Sequence, residues 1–136
     1  MDREILFRGK RTDNGEWVEG YYAKSGGCFI LKDNGLTYGG FEIFEVSSET
    51  VCRYTGYEDV NGKKIFEGDI VGYIDMTSTE SGYSEMDCVG VVGWSEEEAC
   101  FYVTGRLSAE SWEVLGECRI IGNIYDKPEL LEGGTE

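Results

Sequence analysis

A chain of 136 residues carries 27 Asp/Glu against 12 Lys/Arg, a net charge of −15, and no histidine. That length fits one domain or two small subdomains with a real core. The charge argues against a polyanion-binding surface over most of the chain, because phosphate contacts need cations that release counterions. The missing imidazole removes the commonest general base and metal ligand.

The charge is unevenly placed. Residues 1–64 hold nine Lys/Arg and eleven Asp/Glu; residues 65–136 hold three and sixteen, a net of −2 against −13. Twenty glycines, one proline, nine tyrosines and three tryptophans point to many short strands joined by tight turns. Cys28, Cys52, Cys88, Cys100 and Cys118 are odd in number and widely spaced, with no C-x-x-C. Reduced thiols in a cytosol are expected. No signal-peptide core opens the chain, and no apolar run reaches the ~18 residues that span a bilayer, so no membrane partner is expected.

In chain order, Arg3–Gly9 starts as a strand with Ile5 and Phe7 on one parity. Asp13-Asn14-Gly15 turns the chain back into Trp17–Tyr22, where Trp17, Glu19 and Tyr21 share one face and Val18 and Tyr22 the other. Gly26-Gly27 is the next reversal. Cys28–Leu31 is a buried strand, Asp33-Asn34-Gly35 a hairpin turn into Leu36–Tyr38, and Phe41–Val46 a weakly alternating strand. Residues 1–48 therefore read as an N-terminal β meander. Ser47-Ser48 reads as a short connection into a strand at Thr50–Tyr54.

Asn61-Gly62 separates Val51–Tyr57 from Lys64–Tyr73 and signals a type I′ hairpin. Gly68-Asp69 reads as a corner where the strand bends. Residues 76–86 are polar, aperiodic and turn-rich, and are expected to be a long mobile loop. Cys88–Trp94 and Ala99–Val103 are strands around a Ser95–Glu98 loop. Ser108–Leu115 reads as one helix, Ser108 its N-cap and Gly116 its end. Arg119–Tyr125 is the last strand, a helical turn follows Pro128, and 133–136 is a frayed tail. The fold class expected is all-β with minor α: a meander over 1–48 and an SH3-like small barrel over 49–132.

The segments Tyr54-Thr-Gly56, Asp59-Val-Asn-Gly62 and Lys64-Ile-Phe-Glu-Gly-Asp-Ile-Val71 carry a resemblance. So do Ile121-Gly-Asn-Ile-Tyr125, Pro128-Glu-Leu-Leu131, Arg3–Gly9 and Asn14-Gly-Glu-Trp17. Through these the chain resembles the YopX-like proteins of bacteriophages and prophages; residues 76–118 match poorly. The resemblance implies a β-rich phage-encoded protein, and the cysteine usage leads to the expectation that it works in the cytoplasm of a host cell. The resemblance further implies a homo-oligomer for which nucleic-acid binding has been suggested, and it brings no catalytic residues.

Few residues offer chemistry. A cysteine nucleophile would lack its imidazole partner, and no phosphate-cradling loop is present. Glu67 with Asp69, and Glu96-Glu97-Glu98, are the carboxylate sets that a glycosidase or Mg²⁺ site would need. Asp59-Val-Asn61 looks like the start of a calcium loop, but a hairpin turn explains it more cheaply. No catalytic, cofactor or metal residue is therefore assigned. Trp17, Tyr21, Tyr22 and Tyr54 with Arg8, Lys10, Arg11 and Arg53 are the set suited to a single nucleic-acid strand. The plainer reading puts Trp17 and Tyr54 in the core and the cations on a solvated edge. Two functions stand above an enzyme: a self-associating accessory protein contacting nucleic acid through Arg8, Lys10, Arg11, Trp17 and Tyr54, or an acidic inhibitor or DNA mimic aimed at a host protein.

Overall fold

The computed structural model describes residues 6–33, 40–106 and 108–133. The expected strand before residue 6 and the Asn34-Gly35 turn into Leu36–Tyr38 lie outside them. The chain forms two units, residues 1–56 and 57–136. The division falls inside a strand, downstream of the Ser47-Ser48 connection.

The first unit is a meander, as alternation and turn residues lead one to expect. Strands β1 (Phe7–Lys10), β2 (Trp17–Lys24), β3 (Cys28–Asp33), β4 (Phe41–Glu45) and β5 (Cys52–Glu58) lie in the order β4-β3-β2-β1-β5. The β1–β2 register sets Lys10 opposite Trp17 and Arg8 opposite Glu19. Asn14 closes the turn between them by accepting the Glu16 amide at 2.9 Å. One face buries Val18, Cys28, Ile30 and Val46, with Phe7, Tyr22, Phe44 and Val51 packed around them. Backbones approach closely where β2 meets β3: a Cβ on Gly20 would lie 2.3 Å from the Leu31 carbonyl oxygen. Ser48–Thr50 is a single 3₁₀ turn rather than the start of a strand. Its Thr50 hydroxyl donates to Ser47 O and accepts the Lys10 amide, both at 2.8 Å.

The second unit begins with the end of β5 and β6 (Lys64–Phe66), joined by a turn over 59–63. This is not the type I′ turn expected from Asn61-Gly62. Gly62 has φ 81°, whereas Asn61 keeps a negative φ. A side chain closes the turn instead: Asp59 Oδ1 accepts the amides of Asn61 and Lys63, each at 2.9 Å.

Gly68 (φ 84°) then makes the expected corner, a conformation that costs an L-residue roughly 1–2 kcal/mol. Its amide donates to Val92 O at 2.8 Å and its carbonyl accepts the Ile124 amide at 2.9 Å. Asp69 caps the corner by accepting the Phe66 amide at 2.8 Å.

The strands that follow form an open sheet, β10-β7-β8-β9, not a closed SH3-like barrel. They are β7 (Asp69–Thr79), β8 (Gly82–Ser95), β9 (Cys100–Val103) and β10 (Arg119–Asn123). β10 pairs with Asp69–Gly72 of β7 and β9 with Val92–Ser95 of β8, and the two lie at opposite edges of the sheet. Residues 76–86 are not an irregular loop. They are the end of a long β7–β8 hairpin, registered from Ile70 opposite Val91 to Thr79 opposite Gly82.

Helix α1 (Ser108–Glu117) packs on this sheet and runs through Gly116, which does not end it. Its fully buried Ser111 hydroxyl accepts the Val103 amide at 3.1 Å. Ile65, Val71, Val92, Val103, Val114, Leu115 and Cys118 make the core. Helix α2 (Glu129–Gly133) follows Pro128.

Candidate functional site

The first unit's outer sheet face is built by period-2 alternation. Arg8 and Lys10 project from β1 on the parity opposite Gly9, and Trp17 from β2 on the parity opposite Val18. Arg8's guanidinium sits 4.6 Å from the Trp17 ring centroid and Lys10 Nζ 5.5 Å from it. Such contacts are worth about 0.5–1 kcal/mol at exposed sites, enough to hold two cations side by side. Tyr21 lies on the same face, 54% exposed, edge-on to Phe41 at 6.3 Å. Register continues the row: Tyr21 is opposite Leu31, and Leu31 opposite Ile43, itself 64% exposed.

The other expected residues are placed differently. Arg11 is engaged by Asp13 at 2.7 Å and lies 4.5 Å from the Phe44 ring centroid. The Arg11 hydrogen bond holds Asp13's carboxyl below its ordinary range. Tyr54 is buried and offers no open ring for stacking. The plainer reading is thus right for Tyr54, while Trp17 sits half-buried beneath two cations. Sequence reasoning missed Phe41 and Ile43. The weak alternation of Phe41–Val46, apolar on both parities, was the signal for a strand with no polar face.

Asp59 and Asp69 are structural acceptors. Asp59 is 5% exposed, and besides Asn61 and Lys63 it accepts the Ile120 amide at 3.0 Å. Burial pushes its carboxyl up. The three backbone donors and the nearby Lys63 charge outweigh that and hold it below the ordinary range. Asp69 is 1% exposed and already bound to the Phe66 amide, so it cannot pair with Glu67 around a substrate. Glu96-Glu97-Glu98 sit in the β8–β9 turn. Among the described residues no group of three or more His, Cys, Asp or Glu converges as a metal site.

The second unit has a cleft of about 540 Å³ between β7, β10 and α1. Val60, Ile74 and Val114 are among the apolar residues of its lining. Arg106 anchors one side, 2.7 Å from Asp75 and 3.7 Å from Glu110, with its guanidinium 5.1 Å from the Tyr73 ring centroid. The hydrogen bonds to Asp75 and then Tyr73 push the Arg106 pKa up. The same Arg106 bond holds Asp75 below its ordinary range.

The YopX protein family model matches residues 6–132. The chain belongs to the YopX family. Its fold also resembles that of protein EF1440 from Enterococcus faecalis, at 25% identity and a TM-score of 0.57, covering 96% of this chain and 99% of that one. No curated protein matches. Among the described residues of this YopX protein, no helix is long and apolar enough to cross a membrane.

Proposed function

We propose that this YopX protein is a non-enzymatic phage or prophage accessory protein of the host cytoplasm. It self-associates and holds single-stranded nucleic acid on the outer face of its first sheet. One observation carries the nucleic-acid reading: Arg8 and Lys10 lie over Trp17, with Tyr21 exposed on the same face. Cations that track a backbone beside an aromatic on which a base can stack are what strand binding needs. Arg11 contributes less, since Asp13 already neutralises it. Self-association is supported by the far part of the β7–β8 hairpin, where Tyr83 and Met86 are exposed.

Fluorescence anisotropy of labelled DNA and RNA oligonucleotides across a salt series tests the first part. Arg8→Ala with Lys10→Ala should weaken binding and lower the salt slope by about 1–2. Tyr21→Ala should weaken it with the slope unchanged. Absence of salt-dependent binding to any oligonucleotide removes the nucleic-acid role. Light scattering tests assembly; a monomeric mass removes it.

A second reading makes the protein an acidic inhibitor or DNA mimic directed at a host protein. It is favoured by the −13 of the rear half and by Glu110, Glu113 and Glu117 spaced along α1. Retention of a basic DNA-binding protein from host lysate at low salt, released at high salt and by competing DNA, is its expected outcome.

A further inference from the structure

The cleft in the second unit has a charge arrangement that net acidity alone does not describe. Arg106 is matched within the protein by Asp75 and Glu110, and its flat face rests on Tyr73. It therefore presents little field to an incoming anion. Glu113 and Glu117 line the same cleft, and among the described residues neither makes an ion pair or side-chain hydrogen bond. Four apart on a helix, they are neighbours on one face. Arg119 is the remaining guanidinium, so four lining carboxylates stand against two cations. Val60 and Ile74, both exposed, give the lining aliphatic surface, and the buried Val114 borders it.

We propose that this cleft binds an aliphatic primary ammonium, the chemistry shared by a lysine side chain and a free alkylamine. The alkyl chain lies on Val60 and Ile74, and the ammonium sits against Glu113 and Glu117. A volume of about 540 Å³ accommodates such a chain. An ammonium fits better than a guanidinium, which favours stacking on an aromatic face. Arg106 already takes the one such face here, that of Tyr73. A metal ion fits worse, because it takes three or more converging ligands and no such group is found among the described residues.

This inference goes beyond the acidic-inhibitor reading, and the two fail separately. Net charge attracts any basic surface and survives the loss of two carboxylates; the cleft does not. The probes are N-acetyl-lysine methylamide, 1,5-diaminopentane, pentanol and pentanoate, titrated into the full chain and followed by amide chemical shifts. The lysine derivative and the diamine should bind saturably, with shifts centred on β7, β10 and α1. Glu113→Gln with Glu117→Gln should weaken them about tenfold. Glu96→Gln with Glu97→Gln removes the same charge from a distant turn and should leave them unchanged.

Preference for the lysine derivative points to a partner protein's side chain, and preference for the diamine to a free amine; both uphold the chemistry. The proposal is overturned if neither amine saturates, if pentanol binds as well as the amines, or if the distant pair weakens binding equally. It is also overturned if pentanoate binds better in a manner abolished by Arg119→Ala, which would make the cleft an anion site.

Discussion

The carboxylate of Asp59 accepts a hydrogen bond from the Ile120 amide across 61 positions of sequence, at 3.0 Å. The same side chain closes its own turn through Asn61 and Lys63. One buried group therefore fixes a local turn and ties it to the last strand. The adjacent bond from the Val60 amide to Cys118 O, at 3.0 Å, reinforces the tie. Asp59→Ala leaves three partly buried amides without this acceptor, and a buried orphan costs about 1–3 kcal/mol, less where water replaces the carboxylate. A loss of at least about 2 kcal/mol is expected in urea unfolding. Asp59→Asn, which keeps one carbonyl oxygen, should lose less. A loss below ~0.5 kcal/mol for Asp59→Ala would refute this role.

The same carboxylate sets a pH dependence. Its folded pKa lies below its unfolded value, so it stabilises the fold above the unfolded value. That contribution disappears as pH falls through the folded pKa. The urea midpoint should decline below about pH 4, near the ordinary Asp value. The decline should be shallower in Asp59→Asn, which has no such proton to bind. Equal slopes in the two proteins would assign acid sensitivity to other carboxylates.

Much of the first unit was legible because alternation there is clean: Val18 inward, Trp17 and Tyr21 outward, with Asn14-Gly15 between strands. The 76–86 hairpin was not legible. Its described side chains are exposed on both faces, so it needs no apolar alternation, and Ser78, Ser81 and Ser84 read as loop although they belong to paired strands or their turn. The hairpin turn at Asp59 was legible, but its type and the bond from the distant Ile120 amide were not, for a related reason. A buried acceptor for distant amides leaves no local pattern, while Asn61-Gly62 advertises a turn that the side chain overrides. The outer-face cations were visible as a cluster, but only the strand register sets Arg8 and Lys10 on Trp17 and leaves Tyr54 buried.

Two glycines should respond in opposite directions to alanine. A Cβ on Gly20 would strike the Leu31 carbonyl at 2.3 Å and carbon at 2.9 Å, so β2 and β3 must separate. A loss of about 1–3 kcal/mol is expected for Gly20→Ala. Gly116 lies within α1 with nothing inside 4 Å of an added Cβ. Gly116→Ala should stabilise by up to about 1 kcal/mol through helix propensity. Thermal unfolding of the two variants reads both signs. Destabilisation by Gly116→Ala would restore that glycine as a helix end.

The cysteines should divide by accessibility. Cys88 and Cys100 are partly exposed, whereas Cys28, Cys52 and Cys118 are buried. For Cys118, burial pushes the thiol up to about 11, with the charges of Asp59 and Asp69 acting in the same direction. The thiolate is the reactive form, so at pH 8 this residue lacks both access and nucleophile. An aromatic disulfide reagent should label Cys88 and Cys100 rapidly in the native protein and the other three only on unfolding. Mass spectrometry of the labelled peptides identifies the sites. Fast native labelling of Cys118 would mean that the packing of α1 against the sheet opens readily, contrary to the core in which Leu115 and Val103 enclose it.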